Sequence, residues 1–120
     1  MAIGVYGTSE FNCVAEKPPP AAVKHDGGKS RYDLIPFDAL DSIVKVLTFG
    51  ADKYGAGNWE KGFAYGRLLG ATLRHVTAFA RGEDLDLETK MPHLAHAASC
   101  LLMLLALTLR KGGEDDRSKI

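Results

Sequence analysis

Residues 92–109 read PHLAHAASCLLMLLALTL, a run without Asp, Glu, Lys or Arg. A helix built from this run is apolar on nearly every face, and such a helix has to be buried on all sides. The run is shorter than the ~20 apolar residues of a membrane span, and it is interrupted by His93 and His96. We therefore expect a buried helix, covered in part by a second subunit because a chain of 120 residues has little interior of its own.

A helical hairpin is predicted from the residues that precede this run. Apolar side chains recur at helical spacing along residues 67–81, where the predicted inward stripe consists of Leu69, Thr72, Leu73, Val76 and Ala80. A polar turn, residues 82–91, separates this helix from the apolar one, and Gly112 and Gly113 are expected to end the latter. The two helices are therefore expected to lie antiparallel.

Apolar periodicity predicts a further helix over residues 37–49, ending within the glycine-rich residues 50–62. No alternating pattern of convincing length predicts a strand. The predicted fold class is all-α: a helical bundle around the antiparallel hairpin, completed by oligomerisation. The predicted organisation is an extended N-terminal arm at 1–24, the helical domain at 25–111 and a flexible tail at 112–120.

Composition argues against several classes of protein. Fifteen basic and fifteen acidic residues cancel, which argues against a nucleic-acid partner because a large footprint needs an excess of Lys and Arg. Cys13 and Cys100 are far apart and form no CxxC pair, so a zinc site of the finger type is not expected. No signal peptide or membrane partner is predicted, and the expected setting is the reducing cytoplasm.

Three of the four histidines fall on the predicted hairpin. At a rise of ~1.5 Å per residue, His75 lies roughly 10 Å below Gly82 and His96 roughly 6 Å below Pro92, so the two rings approach the same level. His93 and His96 are three residues apart and share a helix face. A histidine inside an apolar helix needs a hydrogen-bond partner or a metal ion. These three histidines are therefore candidate metal ligands, although His75 alone would fit a core position equally well.

Three carboxylates, Glu83, Asp86 and Glu88, crowd the turn above the histidines. They repel one another unless a cation lies among them, so they are candidate metal ligands and candidate groups for activating water. Oxygen ligands suit Mg²⁺ or Mn²⁺, whereas imidazoles favour Mn²⁺, Co²⁺ or Zn²⁺. The alternative is a solvated turn whose negative charge favours the start of the following helix.

Basic and aromatic residues elsewhere are candidates for binding a phosphorylated base. The candidate substrate contacts are Lys29, Arg31, Lys53 and Arg74 for phosphates, and Asn58 and Trp59 for the base. Lys29 and Arg31 belong to a glycine-containing loop that lacks the spacing of a P-loop, so a solvated basic loop is the alternative. For Trp59, stacking on a base and plugging the core are both open.

Several short motifs occur in a fixed order. They are RYDLIP at 31–36, LTFGADKYG at 47–55, NW at 58–59, RH at 74–75, GE at 82–83, Asp86, Glu88 and HLAH at 93–96. Over about residues 24–109 this set resembles the phage dATP/dGTP diphosphohydrolase family, often called MazZ. The resemblance implies an all-α fold related to the MazG-like nucleotide pyrophosphohydrolases, which assemble as dimers or tetramers.

The resemblance also implies a reaction. Such enzymes cleave a purine deoxynucleoside triphosphate, dGTP or dATP, between the α and β phosphates, which gives the monophosphate and pyrophosphate. Divalent metal ions, Mn²⁺, Co²⁺ or Mg²⁺, activate the water and hold the phosphates. In phages that replace adenine by 2-aminoadenine, the dGMP so made feeds synthesis of the replacement nucleotide, which would place the protein in the host cytoplasm.

The acids of this chain depart from the MazG-like pattern of ExxE on one helix and ExxD on the next. Residues 67–81 contain no acid, and residues 93–96 have the spacing but read HLAH. Either Glu83, Asp86 and Glu88 supply the carboxylates, or histidines occupy ligand positions. The alternative function is that of a non-catalytic helical oligomer that binds a nucleotide or a partner through residues 53–61.

Overall fold

The computed structural model describes residues 18–118. The chain divides into two compact units, whose described parts are residues 18–31 and 32–118. Residues 18–31 contain a turn at 27–29, where the Lys29 N–H donates to the Asp26 carbonyl at 3.1 Å, but no helix or strand. Most of the arm predicted for residues 1–24 lies outside the described residues.

Within residues 32–118 there are three α-helices: α1 at Phe37–Tyr54, α2 at Tyr65–Ala80 and α3 at His93–Leu109. Two short 3-10 turns, Tyr32–Leu34 and Asn58–Lys61, precede α1 and α2. The same residues contain no strand, only two isolated bridge pairs. The predicted all-α fold class is therefore confirmed.

α1 ends within the glycine-rich residues 50–62, as predicted, after continuing through Gly50 to Tyr54. A glycine inside a helix costs only about 1 kcal/mol relative to alanine, so Gly50 alone does not stop it. The helix ends at Gly55, whose φ of 95° is outside the helical region and whose N–H donates to the Ala51 carbonyl at 2.8 Å.

α3 packs against both other helices, most extensively against α2. The apolar core lies where the start of α2 meets the end of α3, and it consists of Tyr65, Leu68 and Leu107, with Trp59, Phe63, Met103 and Leu104 packed against them. Leu107 is 2% exposed. This arrangement makes α2 and α3 the antiparallel hairpin that the sequence predicts.

The face of α2 that packs inward differs from the predicted stripe. Tyr65, Leu68 and Thr72 are buried, whereas Leu73 is 61% exposed and Val76 is also exposed. The stripe prediction was therefore partly wrong, because the periodicity of α2 cannot distinguish the face toward α3 from an open one. The large exposed apolar side chains of α2 and α3 are Leu73, Val76, Phe79, Leu94, Leu101, Leu102, Leu105 and Leu109. Among the described residues, no helix is long and apolar enough to cross a bilayer.

α3 ends in a Schellman motif one residue before the glycine pair. The Gly112 N–H donates to the Leu107 carbonyl at 2.8 Å, and the Lys111 N–H donates to the Thr108 carbonyl at 3.2 Å. The residue in the left-handed region is Lys111, with φ 56°, rather than a glycine. A lysine is strained there because its Cβ crowds the backbone.

Residues 114–116 are hydrogen-bonded to the start of α2. The Tyr65 N–H donates to the Glu114 carbonyl at 2.8 Å, and the Gly66 N–H donates to Asp116 Oδ1 at 2.7 Å. α2 has no side-chain cap of its own at Ala64, so Asp116 satisfies one of its free N–H groups from a distant part of the chain. The flexibility predicted for residues 112–120 stays a prediction, but this part of the segment is tied to α2.

Candidate metal site in the helical hairpin

Gly82 determines how the chain leaves α2. Its φ is 98°, its N–H donates to the Phe79 carbonyl at 2.9 Å, and the next N–H, that of Glu83, donates to the Ala78 carbonyl at 3.0 Å. This pair of bonds is a Schellman motif, which favours glycine at the left-handed position. Glu83 therefore follows α2 with its backbone held in place.

The connection from α2 to α3 is a closed, hydrogen-bonded loop. The Asp86 N–H donates to the Met91 carbonyl at 2.8 Å, and the Lys90 N–H donates back to the Asp86 carbonyl at 2.8 Å. The His93 N–H donates to the Asp84 carbonyl at 2.9 Å, which ties the first turn of α3 to the loop. The loop therefore holds its side chains at set positions above the helices.

Asp86 is kept in its charged form by the loop. Its Oδ2 accepts hydrogen bonds from the Thr89 N–H at 2.9 Å and the Glu88 N–H at 3.1 Å. The bond from Thr89 is the main cause that lowers the pKa of Asp86, because a hydrogen bond to a carboxylate favours the ionised form. These bonds leave lone pairs of the carboxylate available to a cation.

The three hairpin histidines converge as predicted. Nδ1 of His75 lies 2.9 Å from Nδ1 of His93, and the rings of His75 and His96 stack with centroids 4.6 Å apart and a tilt of 9°. Burial is the largest cause that lowers the pKa of both His75 and His96, and nearby histidines lower it further. The rings of His75 and His96 are therefore neutral near pH 7, which is the form that binds metal ions.

His75, Asp86 and His93 form a candidate metal site. Each offers one ligand atom, and these atoms all lie within 4.8 Å of one another. Two imidazole nitrogens and one carboxylate oxygen suit Mn²⁺, Co²⁺ or Zn²⁺. Two neighbouring ligands at 2.1 Å from an octahedral ion lie about 3.0 Å apart, and the His75 and His93 nitrogens are 2.9 Å apart. The residues present therefore fit a divalent transition-metal ion.

The other three predicted ligands surround this group without joining it. Glu83 Oε1 lies 2.7 Å from His93 Nε2, and His96 Nε2 lies 2.7 Å from Thr89 Oγ1. The Glu88 side chain is 75% exposed and pairs with Lys53 at 3.6 Å. Repulsion among the three carboxylates is relieved because each has a different partner.

Thr89 is a site residue that the sequence interpretation missed. Its Oγ1 contacts His96 Nε2 and accepts the Met91 N–H at 3.2 Å, while its own N–H binds Asp86. One threonine thus links the loop, a candidate ligand and a histidine of α3. The signal was the spacing from Asp86 to Thr89, typical of an Asp side chain that bonds backbone N–H groups just after it.

The predicted phosphate contacts lie in three places. Arg74 lines an open groove of about 320 Å³ along α2, together with Gly70, Leu73, Thr77, Ala78 and Arg81. Lys53 lies in the last turn of α1, where a hydrogen bond with Tyr54 and then the charge of Glu88 raise its pKa. Lys29 and Arg31 are exposed residues of the N-terminal unit.

The two predicted base contacts lie at the other end of the hairpin. Trp59 packs against the Tyr65, Leu68 and Leu107 cluster, with the Arg110 guanidinium 5.1 Å from its ring centre. Arg110 directly follows α3, and a rise of ~1.5 Å per residue puts it about 25 Å along the helix axis from His93. Asn58 belongs to the same short turn as Trp59. Of the two alternatives for Trp59, the structure favours the core position and does not bring it to the histidines.

Known proteins resemble nearly the whole described chain. Residues 19–117 match the model of a family described as dATP/dGTP diphosphohydrolase, N-terminal. A relative from Salmonella phage PMBT28, described as a dATP/dGTP diphosphohydrolase, is 39% identical over 95 residues, which cover 79% of this chain and 32% of that protein. The chain thus spans about a third of the length of the curated relative it matches. No solved structure matches.

Proposed function

The chain belongs to the family of dATP/dGTP diphosphohydrolase N-terminal regions, and from this membership we propose that it hydrolyses purine deoxynucleoside triphosphates. The substrates are dGTP and dATP, and the products are the monophosphate and pyrophosphate. The observation that carries the proposal is the convergence of His75, Asp86 and His93 on one point of the hairpin. A histidine-rich group of this kind is expensive to bury unless it binds something.

His75, Asp86 and His93 would hold the divalent ion. When bound there, such an ion neutralises charge on phosphate oxygens and lowers the pKa of a bound water. The protein contributes two imidazoles, of which burial keeps that of His75 neutral, and one carboxylate that hydrogen bonds keep ionised. Because two of the three ligands are nitrogens, we expect Mn²⁺ or Co²⁺ to support the reaction better than Mg²⁺.

Arg74 is the residue best placed to bind the triphosphate. It precedes His75 on α2, close enough for its charge to help lower the pKa of that histidine. The groove it shares with Arg81 is open to solvent, and a guanidinium can bind phosphate oxygens through two parallel hydrogen bonds. In this arrangement the phosphate tail extends from the metal site along α2.

Lys53 is a second phosphate ligand in this proposal. Its ion pair with Glu88 is exposed and 3.6 Å long, and such pairs contribute only about 0–1 kcal/mol. A phosphate group can therefore replace Glu88 at little cost. Lys29, Arg31 and Asn58 stay predicted substrate contacts, and activation of water by Glu83, Asp86 or Glu88 is likewise a prediction.

Two wider features belong to the same proposal. The exposed leucines of α3 favour a homo-oligomer, a dimer or tetramer, in which a second copy covers that helix. In a phage that uses 2-aminoadenine, the dGMP released in the host cytoplasm would feed synthesis of the replacement nucleotide.

Product analysis tests the proposed reaction. The full chain is incubated with dGTP or dATP and Mn²⁺, Co²⁺ or Mg²⁺, and the nucleotides and phosphates are separated by ion-exchange chromatography. We expect dGMP or dAMP with pyrophosphate, and no turnover in the presence of a chelator. Release of dGDP and orthophosphate would contradict the mechanism. Nucleotide binding without turnover, unaffected by the chelator, would support the non-catalytic alternative instead.

A further inference from the structure

Glu83 contacts a candidate ligand rather than the candidate metal position. Its Oε1 lies 2.7 Å from Nε2 of His93. The His93 residue is 4% exposed, whereas the Glu83 side chain is 42% exposed, so the histidine is buried and the carboxylate reaches it from the solvent side. An ionised carboxylate can only accept hydrogen bonds, and therefore Nε2 of His93 is the donor.

This contact decides which nitrogen of His93 is free. A neutral imidazole carries hydrogen on one nitrogen and a lone pair on the other. With the hydrogen on Nε2, the lone pair is on Nδ1, the atom that lies 2.9 Å from Nδ1 of His75. Without an ion, His75 donates its Nδ1 hydrogen to that lone pair. Glu83 thus selects the form of His93 that can offer Nδ1 to a metal ion.

His96, one turn further along α3, contacts a different residue of the loop. Thr89 Oγ1 accepts the Met91 N–H and lies 2.7 Å from Nε2 of His96. That nitrogen therefore has a hydrogen-bond partner in the loop, and the ring of His96 stacks on His75 outside the ligand group. Glu83 is thus the side chain of the loop that acts on His93.

We propose that Glu83 is a positioning residue that fixes His93 in its Nε2–H form and thereby strengthens divalent-metal binding by the hairpin. The inference rests on the metal site of the proposed function, but it does not require that the chain hydrolyse nucleotides. Carboxylates that bind the second nitrogen of a ligating histidine typically contribute ~10–100-fold to metal affinity. In this role Glu83 acts on the ion through His93 rather than as a ligand.

Metal affinity is the first test. Binding of Co²⁺ to the full chain is measured by calorimetry for the wild type, Glu83→Ala, Glu83→Gln and Asp84→Asn. Asp84→Asn removes a negative charge from the adjacent, exposed side chain, so it is a control matched in charge to Glu83→Gln. We expect Glu83→Ala to weaken binding by ~10–100-fold, Glu83→Gln to weaken it less because its amide oxygen still accepts from Nε2, and Asp84→Asn to leave it unchanged.

Nitrogen-15 NMR of the imidazoles in metal-free protein is the second test. Wild type and Glu83→Gln should show His93 with its hydrogen on Nε2, and Glu83→Ala should show a mixture of the two forms. Glu83→Gln keeps the shape of the side chain, so it remains informative if Glu83→Ala does not fold. A wild-type His93 protonated on Nδ1, or equal Co²⁺ affinities for wild type and both Glu83 variants, would overturn the inference.

The two proposals fail in different ways. A chain that binds Co²⁺ with the expected order of affinities but leaves dGTP intact supports the role of Glu83 and contradicts the proposed reaction. A chain that hydrolyses dGTP while all variants bind Co²⁺ equally contradicts only the role of Glu83. Absence of Co²⁺ binding in the wild type contradicts both.

Discussion

The two ends of the α2–α3 hairpin bury ring side chains for different purposes. At one end Trp59 and Tyr65 pack with Leu107, and Arg110 covers the tryptophan while bonding Glu60 at 2.8 Å. At the other end the rings are three imidazoles that contact one another and the loop. Burying apolar area stabilises a fold, whereas burying ionisable groups costs free energy.

One end of the hairpin therefore stabilises the fold, and the other holds the groups that can bind a ligand. We call them the tryptophan end, around Trp59, Tyr65 and Leu107, and the histidine end, around His75 and His93. Changes at the tryptophan end should alter the free energy of unfolding and leave metal binding intact. Loss of a candidate ligand at the histidine end should alter metal binding more than the free energy of unfolding, because a site built for a ligand contributes little to the apolar core.

The largest effect is expected from His93→Ala at the histidine end. Removing a residue that only hydrogen-bonds a metal ligand already weakens metal binding by ~10–100-fold. His93→Ala removes a candidate ligand itself, so Co²⁺ affinity and dGTP hydrolysis should fall by more than about 100-fold. Calorimetry and product release measure both. His25→Ala, an exposed histidine of the N-terminal unit, is the matched control. Retained metal binding in His93→Ala would break the division between the two ends.

Leu107→Ala should be the largest stability change of the set. The side chain is almost fully buried, and a Leu→Ala change in a core costs about 2–5 kcal/mol. Urea unfolding measures the decrease in the free energy of unfolding, and Co²⁺ affinity under native conditions should not change. Leu109→Ala is the control on the same helix, because that side chain is 75% exposed. Equal losses for the two variants would mean that Leu109 is buried in an assembly.

Asp116→Ala tests the capping contact on α2 at the tryptophan end. Loss of a carboxylate that caps a helix costs about 0.5–2 kcal/mol, and the acceptor for the Gly66 N–H would be removed. Thermal unfolding measures the change. Glu114→Ala removes a nearby carboxylate but keeps the backbone bonds, so it should be nearly neutral. A neutral Asp116→Ala would show that water replaces the cap without cost.

The pH dependence of stability should originate at the histidine end. Burial lowers the pKa of His75 and His96 below the value of about 6.5 for an exposed histidine. At a pH between the folded-state and unfolded-state pKa values of these histidines, the unfolded chain binds more protons than the folded chain. The free energy of unfolding therefore rises with pH up to about 6.5 and decreases as the pH falls. Asp86 opposes this shift in both rings, and Arg74 adds to it in His75.

Urea midpoints of the metal-free chain between pH 5 and 7.5 measure this dependence. His96→Asn should flatten the profile because it removes one of the two groups. A wild-type profile that is flat, or that shows greater stability at the lower pH, would contradict the sign.

The smallest effect is expected from Lys111→Gly, which relieves the left-handed residue behind α3. A small gain is expected, because the left-handed conformation costs a non-glycine residue roughly 1–2 kcal/mol and the greater chain entropy of glycine offsets part of that relief. Lys90→Gly makes the same change in the loop at the histidine end, where φ is 63°. Both variants should be more stable in urea unfolding. If Lys90→Gly alone lowered the free energy of unfolding, the Lys90 side chain would stabilise the loop by more than its backbone strain costs.

Much of the fold follows from residues that act locally. The composition of residues 92–109 predicts a long apolar helix, although several of its leucines are exposed in the chain by itself. Helical rise alone brings His75 to the level of His96. The roles within the cluster were not predictable in the same way. Glu83 and Thr89 gain theirs from hydrogen bonds across a ten-residue loop, 82–91, whose path depends on the left-handed backbone of Gly82 and Lys90.

The three helices, their antiparallel hairpin and the polar cluster at its turn are predictable from the sequence, because periodicity and helix geometry depend only on neighbours in the chain. The way the helices pack determines that His75, Asp86 and His93 share one point, that Glu88 pairs with Lys53, and that Trp59 belongs to the core. These contacts depend on which face of one helix packs on another. Because α3 is apolar on nearly every face, its sequence does not specify which face packs against α2.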